Sequence, residues 1–274
     1  MKKSLVSLLN FFERHSLRGV AARELQASML RATDRYADPK CLTRFEHQAY
    51  SQNGEDGAIR EIFRRIGAQS NFFIEIGVGT GLENNSALLL ADGWRGLWIE
   101  GSHKHCAHIR RQFAGPLGSS QLALINDMVT RDNINHLLQP WAGAEIDLFS
   151  LDIDMNTLHV WEAIEACLPR VCVIEYNSIF PHDMKWSVPY DSRATWQGDS
   201  YFGASLASIC EVAERKGYSL VGCDLTGTNA YFVRTDLCGD HFLHPGSVHT
   251  HYEPSRTYLI GRKPGHPRRF APNS

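Results

Sequence analysis

Four polar residues follow two apolar stretches of the sequence, and their side chains suit divalent-cation chemistry. Asp152 and Asp154 end one stretch, and Glu175 and Asn177 end the next. The residues of each pair are two apart, so they share a face if the strand continues that far. Three carboxylates and an amide gathered at one place are costly to bury without a compensating cation. Because oxygen ligands suit Mg²⁺, Mn²⁺ or Ca²⁺, these four residues are candidate metal ligands.

The same stretches allow three chemical interpretations. A metal such as Mg²⁺ or Mn²⁺ could hold two oxygens of a diol-like acceptor and lower the pKa of its hydroxyl. A site without a metal would use one of the carboxylates, His159 or His182 as its general base. In the third interpretation Asp152 contacts a cofactor, Asp154 caps the next helix and Glu175 pairs with an arginine.

A glycine-rich turn is the second feature with chemical potential. Glu75 precedes Gly77, Gly79 and Gly81, so the spacing is GxGxG and not the GxGxxG of dinucleotide sites. Glycines let the backbone pass close to a ligand and adopt positive φ. A carboxylate just before the first glycine suits the ammonium of a methionine moiety and would repel a pyrophosphate. The turn therefore favours S-adenosylmethionine (SAM) as the cofactor, with Glu75, Gly77 and Gly79 in contact with it.

Two further acidic residues end predicted strands beyond this turn. Glu100 follows Gly81 at nearly the spacing at which doubly wound folds place the carboxylate that binds ribose hydroxyls. Asp127 follows the next strand, where an adenine amino group could be recognised. The alternatives are a solvated strand end for Glu100 and entry into the next helix for Asp127.

Short apolar runs and helical patterns alternate five times along the chain, which predicts a parallel sheet covered by helices on both faces. A further helix is expected just before them, over residues 55–66. The predicted strands span residues 72–76, 96–100, 121–126, 146–151 and 170–175, and the predicted helices span 83–91, 103–113, 132–138, 157–167 and 204–216.

The end of the chain breaks this alternation. Residues 218–224 and 230–234 both have strand character, and the five residues between them are too few for a crossover helix. They should form an antiparallel hairpin at one edge. We therefore predict an α/β fold with a doubly wound, Rossmann-like, seven-stranded methyltransferase sheet, a C-terminal antiparallel hairpin and an N-terminal helical extension.

The remaining segments flank this sheet. Residues 1–47 are predicted to be a helical extension, residues 48–240 the methyltransferase domain, and residues 241–274 an irregular, histidine-rich tail packed on it. The first helix is expected to pack on the body or on a second copy of the chain, with contact to a membrane surface as the alternative. The long segment after residue 177 is expected to shape an acceptor pocket, although its tryptophans could equally form the core of a lid.

Composition excludes some classes of function. The chain of 274 residues has a formal net charge of -2 and a pI of about 6.7, which disfavours nucleic-acid binding driven by bulk charge. Its seven cysteines form no CxxC pair, which disfavours a zinc ribbon and indicates a reducing, cytoplasmic location. No apolar run reaches the length of a membrane span.

Several motifs in order resemble the FkbM-like methyltransferases. They are YSQNGED at residues 50–56, FIEIGVGTG at 73–81, GWRG at 93–96, LDID at 151–154, VIEYN at 173–177, YFGAS at 201–205 and NAYFVR at 229–234. The resemblance covers about residues 48–236. It implies SAM-dependent O-methylation, often of saccharides or secondary metabolites, and it implies that Gln52 and Asp56 lie near the amino-acid end of the cofactor. The chain has DIDMNT at residues 152–157 where the family pattern has DIDGND.

We therefore expect a SAM-dependent O-methyltransferase acting on a hydroxyl of a saccharide or another polyhydroxylated small molecule. A nicotinamide-dependent oxidoreductase is the first alternative, and the GxGxG spacing and the terminal hairpin count against it. A non-catalytic binding protein on the same fold is the second alternative. N-methylation is a chemical variant of the main hypothesis.

Overall fold

A seven-stranded mixed sheet forms the centre of the computed structural model, which describes residues 17–260 and Arg269. The strand order is β3-β2-β1-β4-β5-β7-β6, and β7 runs antiparallel to both of its neighbours. The strands are β1 Phe72–Ile76, β2 Arg95–Ile99, β3 Leu122–Ile125, β4 Leu148–Leu151, β5 Val171–Glu175, β6 Tyr218–Cys223 and β7 Asn229–Arg234. The five parallel strands and the closing hairpin confirm the predicted doubly wound, Rossmann-like methyltransferase fold.

Helices cover both faces of this sheet. Their bounds are α1 Leu17–Arg31, α2 Glu55–Ile66, α3 Ala87–Ala91, α4 His103–Gln112, α5 Ala114–Gly118, α6 Ile134–Leu138, α7 Thr157–Ala163, α8 Leu206–Arg215, α9 Thr235–Cys238 and α10 Val248–His251. Single 3₁₀ turns occur at Asp34–Tyr36, Leu42–Phe45, Gln139–Trp141 and Thr257–Ile260. None of the described helices is long and apolar enough to cross a membrane.

The alternation of side chains along each strand divides the core into two layers. Phe73 packs with Ile59 and Ile62 of α2 on one face, whereas Ile74 packs with Ile209 and other residues of α8 on the opposite face. Successive residues of a strand point to opposite faces, so a strand that is buried on both sides is apolar throughout. This explains the continuous apolar runs from which the strands are predicted.

Two predicted helices are shorter than their sequence patterns indicate. The helix predicted over residues 83–91 begins only at Ala87, because the backbone N–H groups of Asn85 and Ser86 donate hydrogen bonds to the carboxylate of Glu75. The helix predicted over residues 157–167 ends at Ala163, where the side chain of Asn135 accepts hydrogen bonds from the next free N–H groups. Side chains from distant segments thus replace helical hydrogen bonds.

The two ends of the described chain meet beside the sheet. Glu253 is buried and accepts hydrogen bonds from Arg35, Tyr36 and Arg256. Its backbone carbonyl accepts a hydrogen bond of 2.7 Å from the hydroxyl of Tyr176, next to the end of β5. The tail therefore packs on both the N-terminal segment and the sheet. The apolar positions 5, 8, 9 and 12, on which the alternative of membrane-surface contact depends, lie outside the described residues.

Candidate functional site

Two adjoining cavities lie at the carboxyl ends of the parallel strands, where β1 and β4 diverge to the two halves of the sheet. Doubly wound folds bind ligands at this switch point. The glycine-loop cavity, of about 200 Å³, is bounded by residues 77–80. The strand-end cavity, of about 180 Å³, is bounded by Asp154 and Glu175. Gln52 and Asp152 line both cavities, so these two side chains mark the junction between them.

The glycine loop is held against the end of β4 by an unusually close approach of two backbones. Gly77 has a φ of +83°, and a Cβ at this position would lie 1.7 Å from the carbonyl oxygen of Asp152. Gly79 also has a positive φ of +56°, but no atom lies within 4 Å of the place that its Cβ would take. Gly77 is therefore required by packing, whereas Gly79 leaves open space for a ligand.

Glu75 shapes the wall of the glycine-loop cavity. Its buried carboxylate accepts hydrogen bonds from the side chain of Asn84 at 2.8 Å, from the backbone of Asn85 at 2.8 Å and from the backbone of Ser86 at 2.9 Å. The hydroxyl of Ser86 donates a further short hydrogen bond. Burial raises the pKa of Glu75, and these donors oppose that effect. Most lone pairs of the Glu75 carboxylate, which the sequence analysis expected to bind the cofactor, thus accept hydrogen bonds from residues 84–86.

Glu100 fastens the other side of the same loop. One oxygen of its carboxylate accepts a hydrogen bond of 2.8 Å from the N–H of Gly79, and the other accepts one of 2.7 Å from the N–H of Ser102. Asp127 is exposed and lines neither cavity, whereas its neighbour Asn126 donates to the backbone of Glu100. Glu100 therefore lies beside the glycine loop, but like Asp127 it lines neither cavity, and the ribose and adenine contacts of these two residues stay predictions.

Asp56 supports the segment that carries Gln52. One oxygen of the Asp56 carboxylate accepts three hydrogen bonds of 2.7 to 2.8 Å from the N–H groups of Ala49, Tyr50 and Ser51. This arrangement fixes the turn before α2, so that Gln52 reaches the junction of the cavities. Asp56 itself lines neither cavity, and we assign it a positioning role.

Two residues at this site were missed by the sequence analysis. Glu55 is buried, lines the glycine-loop cavity and accepts a hydrogen bond of 2.8 Å from the side chain of Asn229, which lies in β7. These residues are 174 positions apart, and only the antiparallel position of β7 beside β5 brings them together. The YSQNGED and NAYFVR motifs contain both residues, but no local pattern indicates their contact.

Asp152, Asp154 and Glu175 form a cluster in the strand-end cavity. One oxygen from each residue can be chosen so that all three lie within 4.8 Å of one another. Burial raises the pKa of Asp152 to about 7, and the neighbouring Asp154 charge adds to this effect. Burial and the charges of Asp152 and Asp154 raise the pKa of Glu175 well above its usual value. The rise is greater for Glu175 than for a solvated carboxyl group because burial and the two neighbouring negative charges all favour its neutral form.

One oxygen of Glu175 has no hydrogen-bond partner, although its side chain is only 8% exposed. A buried oxygen without a partner costs free energy, which a bound cation could remove. The fourth predicted ligand, Asn177, uses its amide nitrogen to bind the carbonyls of Ser200 and Phe202 and thereby orders the loop above the cavity. The three carboxylates thus lie close together, whereas the amide nitrogen of Asn177 binds the loop.

The two histidines considered as general bases lie away from both cavities. His159 donates a hydrogen bond of 2.8 Å to the carbonyl of Val188 and packs against Tyr190. The ring of His182 contacts His249 and Tyr252 in the tail. Neither residue lines a cavity, so Asp152 remains the predicted base with access to both.

Aromatic side chains complete the strand-end cavity. Trp196 and Phe202 line it, and their ring centroids lie 5.9 Å apart. The indole N–H of Trp196 donates to the carbonyl of Asp199 at 2.6 Å. Arg269 in turn pairs with the Asp199 carboxylate at 2.8 Å. The long loop is therefore an ordered wall of this cavity.

The comparisons with known proteins concern the fold. No family model and no curated protein matches the sequence. The TehB-like SAM-dependent methyltransferase from Corynebacterium glutamicum matches with a TM-score of 0.38 and 13% identity over 78% of this chain and 98% of that chain. CalS10, an amino pentose methyltransferase from Micromonospora echinaspora, matches with a TM-score of 0.40 and 16% identity over 66% of this chain and 92% of that chain. The SAH-bound N-terminal domain of EvdMO1 matches with a TM-score of 0.42 and 13% identity over 77% and 94% of the two chains. The resemblance to FkbM-like proteins stays a prediction.

The contact between Gly77 and Asp152 predicts unequal effects of two alanine substitutions. Gly77→Ala forces a clash as well as an unfavourable φ, and we expect it to lower the free energy of unfolding by roughly 3 kcal/mol or more. The matched control Gly79→Ala changes only the φ preference, which corresponds to about 1 kcal/mol. Urea denaturation measures both values. Equal losses would contradict the proposed close approach.

The raised pKa values in the carboxylate cluster predict a stability that depends on pH. A carboxyl group with a raised pKa in the folded state stabilises the fold at low pH, and this contribution is lost as the pH rises toward the folded pKa. Glu175→Gln replaces the titrating carboxyl group with an amide that can still donate a hydrogen bond to Asp152, and so removes one titration. In the presence of EDTA, its stability relative to the wild type should therefore rise between pH 5 and pH 7 by up to about 1.4 kcal/mol per pH unit.

Thermal unfolding at several pH values measures this difference, and Glu214→Gln at an exposed position of α8 is the control. A difference between Glu175→Gln and the wild type that does not change with pH would show that Glu175 is ionised in the folded protein.

Proposed function

We propose that this protein is a SAM-dependent methyltransferase that methylates a hydroxyl group. The observation that carries the proposal is the charge of the glycine-loop cavity. Four carboxylates line it, from Glu55, Glu75, Glu83 and Asp152, and no Lys, Arg or His occurs among the described residues that line it. Such a wall attracts a ligand with a sulfonium and an ammonium group and repels a pyrophosphate. The nicotinamide alternative is disfavoured for the same reason.

The parts of the cavity match the parts of this cofactor. The open space at Gly79 and the adjacent Glu100 carboxylate suit a nucleoside with ribose hydroxyls. Glu55 and Gln52 at the opposite end suit the amino-acid group. Asp127 is exposed and lines neither cavity, so we propose the backbone near Asn126 for the adenine contact. SAM supplies the methyl group in this scheme.

The acceptor hydroxyl belongs in the strand-end cavity. Methyl transfer requires the donor and acceptor atoms to meet in line, and the junction at Gln52 and Asp152 is the passage between the two cavities. In a reaction without a metal, Asp152 would accept the proton that the hydroxyl loses, because its pKa of about 7 is matched to that role. We propose a saccharide or another polyhydroxylated molecule as the acceptor.

A divalent ion fits the same cluster. Asp152, Asp154 and Glu175 offer hard oxygen ligands. One oxygen of Glu175 accepts no hydrogen bond and is therefore available to a cation. When bound there, Mg²⁺ or Mn²⁺ would lower the pKa of an acceptor hydroxyl. The three carboxylates would then act as ligands.

Calorimetry with SAM and S-adenosylhomocysteine (SAH) tests the cofactor assignment. We expect both to bind and NAD⁺ not to bind. Glu83→Gln removes an exposed charge from the cavity wall and should weaken SAM binding by about twofold to fivefold, with a smaller effect on SAH, which lacks the sulfonium charge. Glu165→Gln, an exposed residue outside this cavity, is the control. Binding of NAD⁺ in place of SAM would refute the proposal.

Removal of the metal tests the proposed divalent-ion site. We expect Mn²⁺ to bind to the SAH-loaded protein and EDTA to abolish methyl transfer, with recovery on addition of Mg²⁺ or Mn²⁺. Asp154→Asn should weaken Mn²⁺ binding by at least about tenfold because one of three anionic ligands is lost. Asp127→Asn, at an exposed acidic residue outside the cluster, should leave it unchanged. Full turnover in EDTA would leave Asp152 as the general base.

A further inference from the structure

We infer that the acceptor is a glycoside without anionic groups near the methylated hydroxyl, and not a sugar phosphate, a nucleotide-linked sugar or a uronic acid. The inference rests on the proposed function, since it concerns the acceptor that occupies the strand-end cavity. It follows from the charge of the cavity walls and from the ion pairs that Arg256 and Arg269 form.

The described walls of the strand-end cavity carry negative charge only. Asp152, Asp154 and Glu175 line it, and no Lys, Arg or His is found among its described lining residues. A site for phosphate normally presents arginine, lysine or several backbone N–H groups. An anionic acceptor would therefore meet carboxylates and find no cationic partner among the described lining residues.

Two described arginines that adjoin the tail and the loop at this cavity, Arg256 and Arg269, already have partners. Arg256, next to the lining residue Ser255, pairs with Glu253 at 2.6 Å and donates to the carbonyl of Leu225 at 2.6 Å. Arg269 pairs with Asp199 at 2.8 Å and lies over the ring of Tyr201 at 4.8 Å. Both guanidinium groups are used to attach the tail to the body, so neither serves as an anion site.

A bound divalent ion would not reverse this charge. Three carboxylate ligands carry more negative charge than one such ion neutralises, so the occupied cluster keeps a net negative charge. A unit negative charge about 8 Å from one uncompensated carboxylate is disfavoured about 30-fold at an effective dielectric constant of about 20. The exclusion of anions thus holds with or without the metal.

The uncharged lining groups suit a sugar ring. Trp196 and Phe202 offer apolar surface, and Ser178, Thr226 and Thr228 offer hydroxyl and backbone groups around it. Ligand sites combine mostly apolar walls with a few placed polar groups in this manner. A polyhydroxylated ring can contact the aromatic wall through its C–H groups and the polar wall through its hydroxyls. Amine-bearing sugars are compatible with the same walls.

Binding of glycans to the full-length, SAH-loaded protein in the presence of Mn²⁺ tests the inference. The probe is an array with neutral, amine-bearing, phosphorylated, sulfated and carboxylated glycans. We expect binding to neutral or amine-bearing members, with at least tenfold weaker binding of the phosphorylated form of the same sugar. Preferred binding of an anionic glycan, equal binding of the two forms or no binding of any neutral glycan would overturn the inference. SAH calorimetry on the same sample shows separately whether the cofactor assignment stands.

A substitution that adds positive charge provides a second test. Ser255 is exposed at the rim of the strand-end cavity and is not part of the carboxylate cluster. Ser255→Arg should increase binding of the phosphorylated sugar by at least tenfold relative to the wild type, whereas the uncharged control Ser255→Gln should not. An equal response of the two variants would show that wall charge does not select the acceptor.

Discussion

The approach of the Gly77 backbone to the carbonyl of Asp152 is the contact on which both cavities depend. It sets the glycine loop against the end of β4, at the point where the two halves of the sheet diverge. The N–H of Gly77 donates to the end of β2 and the N–H of Asp152 donates to the end of β1, so three strands converge on this contact. A side chain at Gly77 would separate the loop from the strand and open the junction between the two cavities.

The buried carboxylates around this contact fall into two groups with different physical consequences. Glu75 and Glu100 accept hydrogen bonds on both of their carboxylate oxygens, and they order the loops that bound the cavities. Glu175 keeps an oxygen without a donor, and burial and the charges of Asp152 and Asp154 raise its pKa. A carboxylate whose oxygens all accept hydrogen bonds fixes the shape of a site. A buried carboxylate oxygen without a donor costs free energy, which the binding of a cation or a proton can recover.

The ordered loop and the tail connect the strand-end cavity to the rest of the fold. Asn177 binds the carbonyls of Ser200 and Phe202, and Arg269 pairs with Asp199. These contacts place Trp196 on the cavity wall without placing a free positive charge there. The loop thus gains its order from a neutral amide and from an ion pair whose two members do not line the strand-end cavity.

Sequence periodicity determined the strands, most helices and the edge hairpin, because apolar alternation reflects burial that each segment experiences locally. It also located the glycine turn, Glu100 and the three clustered carboxylates, since the carboxyl ends of parallel strands must share one edge. Only the tertiary structure decided which polar groups are free to act. Glu75 and Asn177 are consumed by hydrogen bonds to segments that fold back on them, the two histidines lie elsewhere, and Glu55 meets Asn229 across 174 residues. The satisfaction of a polar side chain depends on partners that are distant in sequence, and no local pattern encodes them.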